Sequence, residues 1–180
     1  MRRYIAFLRG ININGKNKVP MVELKKEFEK LGFGEVKTYL NSGNVSFLSK
    51  KGDIKQFTEQ IETMIKRQFV LDIPVFVISR EELVDILNNA PNWWGNENKE
   101  IYDNLIFIMP PVTFEEVCSE IGEPKKGLER IKNYKEVIFW SFNRKDYQKT
   151  NWWSKTAGAD IRSKLTVRTA NTVKKIVKYN

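Results

Sequence analysis

The residues best suited to chemistry fall into two short polar segments near the start of the chain. One is Arg9-Gly10-Ile11-Asn12-Ile13-Asn14-Gly15-Lys16-Asn17-Lys18, and the other is Asn41-Ser42-Gly43-Asn44. Gly and Asn admit the left-handed backbone that most residues avoid. Carboxamides, cations and turned-out N–H groups are what hold a phosphate or a carboxylate. Residues 10–16 also spell G-x-x-x-x-G-K, the outline of a P-loop. A working P-loop needs Ser or Thr after the lysine for magnesium, and a helix that opens at that lysine. Here Asn17 follows, the helix signal waits until Pro20, and no strand ends in a free Asp that could share the metal. The reading that remains is an anion site without hydrolysis, served by Arg9, Lys16 and Lys18. The plainer alternative is a wide turn made by Gly10 and Gly15 and tied down by Asn12 and Asn14. Asn41–Asn44 is by default a hairpin turn, although two flanking asparagines exceed what such a turn requires.

Composition narrows the field. The chain has no histidine, so Ser-His and Cys-His catalysis and His-ligated zinc are excluded within it. It has one cysteine, Cys118, so it forms no internal disulfide and no thiolate metal cluster. That residue sits in an expected helix beside Val117 and reads as core. No metal and no cofactor is expected. Acid–base chemistry would fall to Asp, Glu, Lys or Tyr, and nothing in the sequence sets Asp146 or Asp160 apart for it. The formal charge of +9 favours anionic partners or is a solvated basic surface. No apolar run approaches the ~20 residues that span a bilayer, and residues 1–10 lack a cleavage site and read as a strand. A cytoplasmic protein without a membrane partner is expected.

The elements that must position the two segments follow from periodicity. Residues 3–9 read as a central strand. Pro20 opens a helix with Met21, Leu24, Phe28 and Leu31 at helical spacing, ended by Gly32. Strands are expected over 35–41 and 44–48, joined tightly at Ser42-Gly43. Ile54, Phe57, Ile61, Met64, Ile65 and Phe69 mark a helix, and 74–78 a strand. Ser79 caps a further helix over 80–89, with Glu82 at the capping-box position. The second half repeats the order: a strand over 104–109; a helix over 113–121 capped by Thr113 and Glu116; strands over 127–131 and 136–142 around an Asn133 turn; a helical stretch over 146–156; a strand over 165–168; and a helix over 169–179. The fold class expected is α+β, a tandem pair of ferredoxin-like (βαββαβ) halves, each followed by an extra helix. The halves are residues 1–90 and 104–180, with 91–103 connecting them.

In such a unit the loop after the first strand and the hairpin between the second and third share one end of the sheet. A two-residue turn at Ser42-Gly43 would pair Asn41 with Asn44 and Tyr39 with Ser46. Thr38, Leu40, Val45 and Phe47 would then share the core face. The tryptophans pair as Trp93-Trp94 and Trp152-Trp153, with Trp140 apart. They read as packing, each buried indole N–H needing an acceptor, rather than as a base-stacking platform. Lys174, Lys175 and Lys178 read as a solvated helix face. Arg168-Thr169-Ala170-Asn171-Thr172 sits at a strand-to-helix junction, where anions are attracted.

These motifs together resemble a bacterial family known as domain of unknown function 1697. The resemblance lies in Arg9-Gly10-Ile11-Asn12, Gly15, Pro20-Met21, Thr38-Tyr39 and Ser42-Gly43-Asn44-Val45 through Phe47. It continues in Ser163-Lys164-Leu165, Thr166-Val167-Arg168 and Asn171-Thr172-Val173. The chain departs from the family at Thr169, where Asn is usual, and at Ala170, where an aromatic is usual. The resemblance implies a cytoplasmic α+β protein with ferredoxin-like halves, and no activity.

Motifs at both ends of the chain give a joint expectation. A small phosphorylated or carboxylated ligand would bind in a groove between the halves. Arg9, Lys18 and Arg168 would hold its anion, and Asn12, Asn44 and Asn171 would orient it. Gly10, Gly15, Tyr39, Ser42, Gly43 and Thr172 would complete the site. The alternatives are a single-stranded RNA or DNA binding module, and an enzyme working through Lys, Tyr or carboxylate. The strand over 44–48 lacks the basic-aromatic pattern of an RNA-recognition sheet.

Overall fold

The computed structural model describes residues 1–50, 52–156 and 160–179. It is a mixed α+β chain with two four-stranded antiparallel sheets. The chain divides into two compact units. One comprises Met1–Val84 with the residues from Ile176 onward, and the other Asp85–Lys175.

In unit 1 the elements are β1 (Arg2–Leu8), α1 (Met21–Lys30), β2 (Gly34–Tyr39), β3 (Asn44–Ser49), α2 (Ile54–Phe69) and β4 (Val75–Ser79), followed by the start of α3 (Arg80–Asn88). The sheet order is β2-β3-β1-β4. Tyr4, Ala6 and Leu8 from β1, Val45 and Phe47 from β3, and Val75 and Val77 from β4 form one sheet face. Against it pack Leu24 and Phe28 from α1 and Phe57, Ile61, Met64 and Ile65 from α2. These are the residues that recur at strand and helix spacing, so the period of the sequence is the period of the core. Phe47 meets Phe28, Phe33 and Phe57 at ring-centroid distances of 4.3–6.1 Å. Asp53 caps α2 by accepting from Lys55 N, and Ser79 Oγ accepts from Glu82 N at the start of α3. The C-terminal residues join this unit: Arg80 Nε donates to Val177 O (2.8 Å), and the Tyr179 ring stands edge-on to Tyr39.

The hairpin departs from the expected register. Tyr39 pairs with Asn44, Thr38 with Val45 and Lys37 with Ser46, so the connection has four residues, Leu40 to Gly43. Leu40 takes a left-handed φ of 57° and leaves the ladder, which puts its side chain in solvent rather than in the core. The Asn44 carboxamide closes the loop, donating to Tyr39 O (2.8 Å) and Ser42 Oγ (3.0 Å).

In unit 2 the elements are β5 (Ile101–Ile108), α4 (Phe114–Ile121), β6 (Glu129–Tyr134) and β7 (Val137–Asn143). They continue with α5 (Asn151–Thr156), β8 (Leu165–Thr169) and α6 (Ala170–Ile176), and 3₁₀ turns cover Arg144–Lys149 and Asp160–Lys164. The sheet order is β6-β7-β5-β8. Thr113 and Glu116 form the expected capping box on α4. The β6–β7 turn lies at Lys135, with a φ of 51°, and not at Asn133. The Asn133 carboxamide instead stays in the strand and ties the turn through Lys135 O and Val137 O.

This unit is organised around a buried carboxylate. Glu129 is 5% exposed. Its Oε2 accepts from Trp140 Nε1 (3.0 Å), and its Oε1 from Asn151 N (2.6 Å), Lys125 N (2.9 Å) and Trp152 N (3.2 Å). Trp152 is fully buried and donates its indole N–H to Gly122 O, while Trp94 donates to Asn104 O. Trp94, Trp140 and Trp152 are thus core residues with satisfied indoles, as buried polar groups require. Trp93 is half-buried, and Trp153 is 42% exposed.

Two predictions follow from unit 2. Glu129→Gln turns an amide NH₂ toward donors that need an acceptor, and it should lower unfolding stability by about 3 kcal/mol in denaturant titration. A loss under about 0.5 kcal/mol would contradict the role given to the carboxylate. Asp85 Oδ2 accepts from Lys135 Nζ (2.7 Å) and Tyr134 Oη (3.0 Å). The Lys135 and then the Tyr134 hydrogen bond hold this exposed carboxyl below its ordinary value. Its contribution to stability is therefore present above the ordinary carboxylate range and lost as pH falls through the lowered value. Carboxyl-detected NMR titration should find Asp85 below the ~3.9 of a free Asp, and Lys135→Ala should raise it.

Candidate functional site

The two polar segments meet at one end of the first sheet. β1 and β3 run antiparallel with Phe7 opposite Asn44, so the chain leaving β1 emerges beside the chain entering β3. Leu8 N donates to Gly43 O (2.8 Å), and Arg9 N to Pro74 O (3.0 Å). Gly43 is required where it stands. Its φ is 75°, and a Cβ there would lie 2.7 Å from Leu8 Cβ and 2.9 Å from Ile11 Cδ1.

Asn12 is the hub of this end. Its Nδ2 donates to Asn41 O (2.8 Å) in the hairpin and to Val19 O (2.9 Å), and its Oδ1 accepts from Val19 N (2.8 Å). One carboxamide therefore ties the β1 loop to the hairpin and to the entry of α1. Asn17 Nδ2 donates to Gly10 O, and Asn12 N to Asn17 O, closing the loop on itself. The carboxamides of Asn12, Asn17 and Asn44 thus hold backbone, and Asn44 is fully buried.

The loop backbone is unusual. Gly10, Asn12, Asn14, Gly15 and Asn17 all have φ between 48° and 76°. Left-handed residues between right-handed ones turn successive N–H groups to one side and make anion-binding concavities. Among the described residues, the amides of Asn14 and Gly15 meet no acceptor, and Lys16 and Lys18 have no ion-pair partner. Asn14 through Lys18 are exposed, and Arg9 is half-buried. Lys16 lies in a turn and α1 begins only at Met21, so a P-loop lysine at a helix start is not formed.

The C-terminal candidates belong to unit 2. Arg168 lies on β8 opposite Leu105, and its guanidinium donates to Thr166 Oγ1 (2.9 Å) and Val167 O (2.8 Å). Burial pushes its pKa down to about 10. Thr169 Oγ1 accepts from Thr172 N and lies 3.0 Å from Thr172 Oγ1, capping α6, while Asn171 is exposed. So Arg9, Gly10, Asn12, Gly15, Lys18, Tyr39, Ser42, Gly43 and Asn44 share unit 1, and Arg168, Asn171 and Thr172 share unit 2.

The remaining candidates for acid–base or nucleophilic work are Asp146, Asp160 and Cys118. Asp146 pairs with Lys149 (2.8 Å), and Asp160 O accepts from Ser163 Oγ. Cys118 is half-buried; burial, then Glu123 and Glu115, push its thiol above the ordinary range. Among the described residues no group of acidic and Cys side chains could hold a metal, and no helix is long and apolar enough to cross a membrane. Glu129 and Asn17 were not singled out by sequence reasoning. Glu129 follows Gly127-Leu128 as one charge among many, and Asn17 carries no signal beyond its loop.

A family model described as a protein of unknown function (DUF1697) matches residues 1–139. The chain belongs to this family. A solved structure, that of the conserved bacterial protein SP0830 from Streptococcus pneumoniae, is similar over 98% of this chain and 97% of that one. The two share 30% identity, with a TM-score of 0.86. No curated protein matches the chain. The matched family region contains both unit 1 loops and ends before Arg168.

The geometry here predicts that Gly43→Ala loses about 2–3 kcal/mol in thermal or urea unfolding, since it combines a left-handed φ with two overlaps. A near-neutral result would show that the two loops are not locked together as described.

Proposed function

We propose that this family member binds a small phosphorylated or carboxylated ligand at the loop end of unit 1. The observation that carries the reading is the pairing of Lys16 and Lys18, exposed and without ion-pair partners, with a left-handed Gly/Asn loop. The amides of Asn14 and Gly15 there meet no acceptor among the described residues. Asn12, Gly43 and Asn44 act by holding this loop and the hairpin in place, and Arg9 adds charge at the root of the loop. We read both units as ferredoxin-like halves, which is in keeping with β2-β3-β1-β4 and β6-β7-β5-β8. We also read the setting as a reducing cytoplasm, in keeping with the single free thiol.

A second reading is single-stranded nucleic acid. It is favoured by Trp153, whose half-exposed ring stands 4.9 Å from Tyr147, with Lys149 close by in the chain. Stacking on an aromatic beside cations is how such strands are held.

A thermal-shift panel of inorganic phosphate, sugar phosphates, dicarboxylates and a single-stranded oligonucleotide separates these readings. A ligand at a hundred times its Kd stabilises by ~2.7 kcal/mol. The expected result is a shift in the wild type that falls at least tenfold in affinity in Lys16→Ala/Lys18→Ala. A shift undiminished in that variant would overturn the site. An oligonucleotide shift lost in Trp153→Ala and steeply weakened by salt would favour the second reading.

A further inference from the structure

Exposed aliphatic side chains scattered singly over a surface need no explanation, but those of unit 1 are not scattered. Among its described residues the exposed large apolar side chains, apart from Met1, are Ile13, Val22, Leu40 and Val70. All four lie at the loop end: in the β1 loop, at the start of α1, in the hairpin and at the end of α2. The α2–β4 connection is fixed there by Arg9 N to Pro74 O and by the Leu8–Val75 pair.

Three of them are next in sequence to Asn12 or to a residue that Asn12 touches. Ile13 follows it directly and is 55% exposed. Leu40, also 55% exposed, precedes Asn41, whose carbonyl accepts from Asn12. Val22, 69% exposed, follows Met21, whose sulfur lies 4.0 Å from the same carboxamide nitrogen. The β1 loop between Leu8 and Met21 carries Arg9, Lys16 and Lys18 and no acid, while Glu23 follows Val22 in α1 and Asp72 lies two residues after Val70. The loop that carries Ile13 also carries Lys16, whose N–H donates to Ile13 O (2.9 Å).

We infer that the ligand of this end is an amphiphile: a phosphate or carboxylate joined to an aliphatic body, with the anion on the Lys16/Lys18 loop and the body across Ile13, Leu40 and Val22. This rests on the anion site proposed above and names the class of ligand that fits it. A fully hydrophilic anion would leave those side chains in water, whereas a ligand with a short alkyl body covers them. Each fully buried methylene strengthens binding roughly fourfold.

The test compares methyl phosphate with hexyl phosphate, which carry the same charge, by isothermal titration of the full chain at equal ionic strength. Hexyl phosphate should bind at least ~10-fold tighter than methyl phosphate, the gain expected if about two of the added methylenes are buried. Ile13→Ser/Leu40→Ser should bring that ratio to within about twofold. Val167→Ser, which alters an exposed aliphatic on β8 of unit 2, should leave the ratio intact. Equal binding of the two phosphates would overturn the inference and leave the anion site standing. A ratio that survives Ile13→Ser/Leu40→Ser, or that Val167→Ser removes as effectively, would also overturn it. Binding of neither phosphate would remove the anion site itself.

Discussion

The loop end of unit 1 depends on a position that has no room for a side chain. Gly43 sits at a left-handed φ with its α-carbon against Leu8 and Ile11, and its carbonyl receives the last N–H of β1. Any Cβ would separate the hairpin from the strand beside it. With that approach in place, Asn12 can reach Asn41 and Val19 at once, and Asn44 can close the four-residue turn. The exposed lysines and aliphatics are carried on a frame in which the carboxamides of Asn12, Asn17 and Asn44 hold backbone. That division of labour is what a binding surface needs, because rigid loops lose less entropy on meeting a ligand.

Unit 2 follows the same strand order with different means. Its polar investment is interior: Glu129 collects backbone and indole N–H groups from β7, α5 and the loop before β6. A carboxyl is buried this deeply only when several donors surround it, and here they come from three separate segments. Asp103 plays a smaller version of this part, accepting from Gly95 N and from Ser141 Oγ. These are buried fixtures of the fold, Glu129 5% and Asp103 8% exposed.

Much of this was legible in the sequence because burial imposes a period. The spacing of Ile54, Phe57, Ile61, Met64, Ile65 and Phe69 marked α2, and Thr113 with Glu116 announced the cap of α4. The meeting of the β1 loop with the hairpin followed from strand order alone. The register of the hairpin did not, since it turns on Leu40 adopting a left-handed φ, which nothing about leucine announces. The asparagines were ambiguous for a chemical reason: a carboxamide satisfies a ligand and a backbone equally well, and only geometry distinguishes them. Arg168 reads in sequence as a cation at a helix start, but on the alternating pattern of β8 it falls between Val167, which is exposed, and Thr169, and it is buried.

The most direct test is a two-dimensional ¹H–¹⁵N NMR titration of the assigned protein with inorganic phosphate at fixed ionic strength. The account predicts saturable shifts concentrated in the amides of Asn14, Gly15 and Lys16, with smaller ones at Asn41 and Ser42. Shifts spread evenly over lysine-rich surfaces without saturation, or none at all in residues 10–18, would contradict it.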